Sequence, residues 1–232
     1  PYIPVLSFRL NNRNHRKIAV IDGKTAYTGG VNLADEYINA VEKFGHWRDS
    51  VIEIKGDAVW SLTVMFLSMW SYLRKTDEDY DYFKPADYDQ SVECHGYVQP
   101  FDDSPLDDEH VSEAVYLNLI NQAEKYIYIE TPYLIIDNKM MVALSMASKR
   151  GVDVRILTPH IPDKWYAFAV TQSNYEELLE TGVSIYQYTP GFNHGKTFIV
   201  DDDYAVVGTI NLDYRSLYLH FECGVWMFNT DS

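Results

Sequence analysis

Cysteine is nearly missing from this chain of 232 residues: Cys94 and Cys223 stand far apart and outside any C-x-x-C pair. That excludes a disulfide-stapled scaffold and fits a reducing compartment. Basic residues are scarce as well, and the formal net charge is −15. Such acidity excludes the broad basic footprint of a nucleic-acid-binding surface, but it leaves room for a small positive pocket that takes one phosphate. Long apolar runs are also lacking. "AVWSLTVMFLSMWSYL", residues 58–73, is uncharged but falls short of the roughly 18 residues of a membrane span. What the chain does have is apolar content of 47% with 15% aromatic residues, enough for a folded core.

It also contains a duplicated motif. "HRKIAVID" places His15, Lys17 and Asp22 at the spacing H-x-K-x4-D, and "HGKTFIVD" repeats it 179 residues later with His194, Lys196 and Asp201. After six further residues each aspartate is followed by a G-x-x-N, "GGVN" ending at Asn32 and "GTIN" ending at Asn211. One H-x-K-x4-D arises by chance. Two copies extended to the same G-x-x-N mark an internal repeat.

Each copy predicts the same unit: a strand carrying His and Lys, a short turn, a second strand, and a helix beginning near the asparagine. A further strand follows, "SVIEIKG" in the first copy and "FECGVWMFN" in the second. Alternate side chains of a strand share a face, so each His and Lys would lie together with the Asp opposite. Between the copies, "EHVSEAVYLNLINQAEK", "NKMMVALSMASKRG" and "SNYEELLETG" read as helices, the second closed by Gly151. "YIYIETPYLI", "VDVRILTP" and "VSIYQYT" read as the strands between them. The alternation predicts an α/β fold with mixed, largely parallel sheets flanked by helices. An aspartate-rich stretch at 76–96 reads as a linker, giving a first lobe over 1–90 and a second over 91–232. Only fourteen residues precede the first motif, so the first lobe is expected to be an incomplete copy and the chain a fragment.

Two His/Lys/Asn sets related by a pseudo-two-fold suit one phosphodiester. Lys17, Lys196, Asn32 and Asn211 would hold its non-bridging oxygens by charge-assisted hydrogen bonds. One histidine can attack phosphorus to give a phosphohistidine while the other protonates the leaving alkoxide and later deprotonates the acceptor. A nucleophilic imidazole needs its second nitrogen held by an acceptor. Glu222, after the second motif, is the expected partner of His194, and Asp49, at the corresponding strand start, that of His15. Asp22 and Asp201 complete the motifs, but alternation turns them to the other face, where they are expected to brace the turns. His46, His95, His110, His160 and His220 read as structural. No cluster has metal-ligand spacing, and the aspartates at 201–203 lack that of a calcium loop, so neither metal nor cofactor is expected.

The paired motifs resemble the signature of the phospholipase D superfamily, H-x-K-x4-D-x6-G-[SGT]-x-N in duplicate. Within it the chain is most similar to the bacterial cardiolipin synthases over essentially its whole length, through "NHRKIAVIDGKTAYTGGVNLADEY", "RGVDVRILTP", "YEELLETGVSIYQYTPGFNHGKTFIVDD" and "VGTINLDYRSLYLHFE". The resemblance implies a two-lobed phospholipase D-like fold and metal-free transfer of a phosphatidyl group between two phosphatidylglycerol molecules. It further implies His15 as nucleophile, His194 as general acid and base, a phospholipid substrate rather than nucleic acid, and work at a membrane surface. The place it implies is the cytoplasmic side of the bacterial inner membrane. Two N-terminal membrane helices are usual in that family and are expected to be missing here, with the front of the first lobe. Hydrolysis of a phosphodiester, in lipid or less readily in nucleic acid, stays open as an alternative, as does a catalytically incomplete phosphate- or lipid-binding module. For residues 58–73 the expected core stripe is Val59, Leu62, Phe66 and Trp70 or Leu73. The opposite side is apolar too, so the helix is either buried all round or lies on the bilayer surface.

Chelation tests the metal-free expectation: EDTA should leave phosphatidyl transfer intact, and activity lost in EDTA and restored by a divalent metal would contradict it.

Overall fold

The computed structural model describes residues 12–87 and 95–230. The expected lobe boundary between 90 and 91, part of the linker, and Cys94 lie outside the described residues. The chain runs through β1 (Arg13–Asn14), β2 (Ile18–Ile21), β3 (Thr25–Gly29), β4 (His46–Arg48), β5 (Val51–Lys55) and helix α1 (Val59–Arg74). It continues with β6 (Tyr97–Asp103), α2 (Val111–Gln122), β7 (Tyr126–Glu130), β8 (Leu134–Ile135), α3 (Asn138–Lys149) and β9 (Asp153–Pro159). Next come α4 (Trp165–Ser173), α5 (Tyr175–Glu180), β10 (Ser184–Tyr188), β11 (Gly191–Asn193) and β12 (Thr197–Val200). The described chain closes with β13 (Tyr204–Gly208), β14 (Leu212–Asp213), α6 (Tyr214–Tyr218) and β15 (His220–Phe228).

An eight-stranded sheet in the order β1-β15-β13-β12-β7-β9-β10, with β6 on β15, forms the body of the molecule, and β2-β3-β5 form a second, smaller sheet. The fold is the expected mixed α/β arrangement with flanking helices. In the large sheet β7, β9 and β10 run parallel with helices intervening between the strands, and β1 joins β15 in parallel at the other end. Each motif instead folds as a tight hairpin, β2–β3 and β12–β13, and a turn of a few residues returns the chain antiparallel. The apolar stretch "YIYIETPYLI" is two strands rather than one, interrupted around Pro132, which has no N–H to donate to a ladder. Neither β6 nor α4 is anticipated by the sequence pattern.

Two further expectations are corrected. His15 and Lys17 lie in the segment between β1 and β2, and His194 and Lys196 between β11 and β12, so the motif residues precede their strands. The asparagines do not cap helices either. Asp213 caps α6 by accepting from the Ser216 N–H at 2.9 Å, and the first copy has only a 3-10 turn at Asp35–Ile38 with no side-chain cap.

The main core lies between the large sheet and helices α2, α3 and α5, around Leu119, Ile127, Leu144, Val154, Ile156 and Phe198. A second cluster joins the two sheets. Val59, Leu62 and Met65 of α1 pack with Ala26 and Ile54 of the small sheet and with Cys223, Val225 and Met227 of β15. The Cys223 thiol, pushed up to about 11 mainly by burial, is a filler there rather than a nucleophile. The buried stripe of α1 is therefore Val59, Leu62 and Met65. Phe66 and Trp70 are 49% and 40% exposed and Leu73 is more so, contrary to the expected stripe. Packing against the small sheet and β15 decides which apolar side turns inward. Among the described residues no helix is long and apolar enough to cross a membrane.

Leu62 is fully buried where the two sheets meet. Leu62→Ala should cost about 2–5 kcal/mol of stability in urea unfolding, whereas Phe66→Ala should stay within about 1 kcal/mol.

Candidate active site

The site is built by two strand pairings that cross between the halves. In one, β1 runs parallel to β15, with Arg13 opposite His220 and Asn14 opposite Phe221. In the other, β11 runs parallel to β4, with Phe192 opposite Trp47 and Asn193 opposite Arg48. Each pairing ends at a motif histidine: the His15 N–H donates to the Phe221 carbonyl at 2.9 Å, and the His194 N–H to the Arg48 carbonyl at 2.7 Å. The next residue along each partner strand is a carboxylate, Glu222 and Asp49 respectively.

The carboxylate partners are therefore exchanged relative to the sequence expectation. His15 Nδ1 lies 2.9 and 3.0 Å from the Glu222 carboxylate oxygens, and His194 Nδ1 lies 2.8 Å from Asp49 Oδ2. The sequence reading assigns each acid to the histidine of its own half; the crossing strands carry it to the histidine of the other. Ionised carboxylates only accept, so Nδ1–H is the donor in both pairs and each Nε2 keeps its lone pair. Glu222 is completely buried and its Oε2 also accepts from the Thr209 hydroxyl. Burial alone would raise its pKa, but the His15 hydrogen bond and the approach of His220 carry it down to about 2, so it stays charged.

His194 sits in an aromatic box, with its ring centroid 5.2 Å from Trp47, 5.4 Å from Tyr37 and 5.9 Å from Phe192. Burial, and after it the Lys196 cation, lower its pKa to about 3 despite Asp49. Lys196 is itself buried, and desolvation brings its pKa down to about 7. Its Nζ donates to the His194 carbonyl and lies 2.8 Å from His194 Nδ1, whose one hydrogen is directed to Asp49. Lys17 repeats the geometry: its Nζ donates to the His15 carbonyl at 2.7 Å, and burial lowers its pKa. Lys17 is influenced by Glu222 and Asp49, and Lys196 by Asp49, Lys17 and Glu222, so both half-sites share one field.

The asparagines are held differently. Asn211 Nδ2 donates to Asp213 Oδ2 at 3.0 Å while its Oδ1 is buried without a hydrogen-bond partner; Asn32 Nδ2 donates to the Tyr37 hydroxyl. Both motif aspartates stand in the hairpin turns, and the Asp201 side chain ties one of them down. Asp201 accepts the backbone N–H groups of Glu124, Lys125 and Tyr126 at 2.6–2.8 Å, tying the β12–β13 turn to the start of β7. Asp22 and Asp201 both have left-handed backbones, φ 54° and 56°, and each is followed by a second left-handed residue, Gly23 and Asp202, the two-residue pattern of a tight hairpin turn in which aspartate is favoured. Gly30 is required by crowding: a Cβ there would lie 2.0 Å from Asp49 Oδ1 and 2.8 Å from the His194 carbonyl.

Several residues at the site escape the sequence reading. Thr209 binds Glu222, Ser50 Oγ accepts from the Lys196 N–H at 3.1 Å, and Trp47 and Tyr37 wall His194. His220, read as structural, lies beside Glu222 with its Nδ1 3.4 Å from Oε1. The only local signal was position: Thr209 lies inside "GTIN", and Trp47 and His220 each precede an acid by two residues. A surface cavity of about 670 Å³, lined among others by Val20, Phe66 and Phe83, contains none of the motif histidines or lysines.

Comparison with known proteins follows the same line. Residues 116–232 match the family model described as "Cardiolipin synthase, PLD-like domain". Over 233 aligned residues the chain is 42% identical to a cardiolipin synthase of Geobacillus sp., covering 99% of this chain and 46% of that protein. It is 53% identical to an uncharacterized protein of Streptococcus mutans serotype c, covering 100% and 50%. The chain thus spans about half the length of these relatives. Among solved structures, a phosphatidylserine synthase of Haemophilus influenzae superposes with a TM-score of 0.66 at 19% identity, over 93% of this chain and 58% of that one. At that identity the likeness speaks for the fold.

The lysine makes a stability prediction. An unfolded lysine titrates near about 10.4, and Lys196 in the fold at about 7. Between those values the unfolded chain holds a proton that the folded chain has released, so this group makes stability rise with pH across the window. Its cost is fully present below pH 7. Lys196→Met should therefore be more stable than the wild type at pH 6 in urea titrations, by roughly 1.4 kcal/mol per unit of the pKa displacement. The gain should shrink toward zero as pH approaches 10.

Proposed function

The chain belongs to the family of the cardiolipin synthase, phospholipase D-like domain, and on that premise we propose that it transfers a phosphatidyl group from phosphatidylglycerol to the alcohol of a second one. The observation that carries this reading is the pair of His–carboxylate dyads, each turning Nδ1 to its acid and leaving Nε2 for chemistry. His15 Nε2 attacks phosphorus, the bond to the glycerol oxygen breaks, and His194 donates the proton that lets glycerol leave. The phosphatidyl group then rests on His15. His194, now neutral, takes the proton of the acceptor hydroxyl as that oxygen attacks phosphorus, which forms cardiolipin and frees His15.

Lys17, Lys196, Asn32 and Asn211 hold the non-bridging oxygens as charge develops. Before substrate binds, burial disfavours charge on both His194 and Lys196. A phosphodiester anion entering beside them favours their protonated forms, so substrate itself charges the acid it needs. A membrane surface suits lipid substrate and lipid product, and the exposed Phe66, Trp70 and Leu73 of α1 are apolar groups available for it.

Thin-layer analysis with labelled phosphatidylglycerol should reveal cardiolipin; phosphatidic acid as the sole lipid product would instead make the chain a hydrolase. Acid-quenched labelling separates the dyads. Glu222→Gln should suppress phosphohistidine formation by about 10²–10⁴-fold. Asp49→Asn should slow turnover through His194 while a labelled enzyme can still be trapped. No label in the wild type would leave a binding module as the better reading.

A further inference from the structure

One group beside Glu222 is given no step in the proposed phosphodiester chemistry. His220 opens β15 with its side chain 11% exposed, and both of its ring nitrogens are buried without a hydrogen-bond partner. Its Nδ1 lies 3.4 Å from Glu222 Oε1, and its ring centroid is 5.6 Å from that of His15. Leaving Nε2 desolvated and unpaired, with Nδ1 met only by the 3.4 Å approach of Glu222, is costly, which makes an apolar or fully hydrogen-bonded residue the expected occupant of a merely structural position.

His15, His220 and Glu222 each present a ligand atom within 4.8 Å of the others. Tetrahedral donors at about 2.0–2.1 Å from zinc stand roughly 3.3 Å apart. Measured to the single oxygen Oε1 of Glu222, His15 Nδ1 stands at 3.0 Å and His220 Nδ1 at 3.4 Å, near that value, and the two imidazole donors lie within 4.8 Å of each other. Two imidazoles and a carboxylate form a borderline-soft set suited to zinc rather than to magnesium or calcium, which take oxygen ligands. The side chain of His15, 25% exposed, is the way in.

We propose that His15, His220 and Glu222 form an inhibitory zinc site. The metal takes the lone pair of His15 Nδ1, and the proton that Nδ1 directed at Glu222 moves to Nε2. With Nε2 now an N–H, His15 has no lone pair to offer phosphorus. Zinc therefore switches the nucleophile off without touching the second half-site, and a chelator relieves the block. The inhibition rests on the proposed role of His15, whereas zinc binding itself does not.

The two are separable by experiment. The metal-free chain is titrated with zinc against a chromophoric chelator, in the wild type and in His220→Asn and His220→Phe. One zinc per chain is expected, with binding weakened at least tenfold in both variants, since even an outer-shell change costs about 10–100-fold. Absence of zinc binding, or equal affinity in all three proteins, overturns the proposal. Should the variants fail to fold, cobalt substituted into the wild type decides: strong visible absorption of a tetrahedral centre supports the site, and its absence overturns it. In parallel, zinc should suppress phosphohistidine labelling more in the wild type than in His220→Asn, and equal suppression overturns the inhibitory part. If the chain is never labelled, the binding measurements stand alone and the failure lies with the transferase reading.

Discussion

Everything at this site depends on two short parallel pairings, β1 with β15 and β11 with β4. Each is only two or three residues long and ends in a backbone hydrogen bond from a motif histidine to the carbonyl just before a carboxylate. Those bonds set the height of each imidazole against its acid, because a one-residue slip in register would turn the acid to the other face of its strand. The pairings also bind one half of the molecule to the other, so a folding contact and the alignment of the proposed catalytic dyads are the same contact. The hydrophobic cluster of α1, the small sheet and β15 packs along the strand that carries Glu222.

Electrostatics at the site is a balance between desolvation and pairing. Glu222 stays ionised in complete burial because His15 and Thr209 donate to it. His194 and Lys196 are shifted toward their neutral forms because burial outweighs the carboxylate nearby. A site prepared in this way carries less positive charge than its side chains would in water, and an anion beside them would favour their protonated forms. The stability lost to a buried lysine is the usual consequence of placing function in the interior.

Much of this was legible in the chain. The duplicated spacing identified His15, Lys17, Asn32, His194, Lys196 and Asn211, and the helix–strand alternation anticipated α2, α3, α5 and the strands between them. Periodicity failed where packing decides. α1 is apolar on two sides, and only packing against the small sheet and β15 selects Val59, Leu62 and Met65 as its inner face. β6 and the short β4 and β11 carry little pattern of their own, since strands this short or this polar are stabilised by their partners.

The sequence by itself determined the chemistry: two imidazoles, two ammonium groups and two acids, and an aspartate at each turn spaced away from its histidine. Alternation along a strand reports which face a side chain takes, but not which neighbouring strand that face will meet. The pairing of acids with histidines was therefore left to the tertiary structure. Because the strand leading into each motif lies against the strand that follows the other, Glu222 serves His15 and Asp49 serves His194. His220 and Glu222 already share a face of β15, two residues apart, and the same crossing brings His15 to both of them.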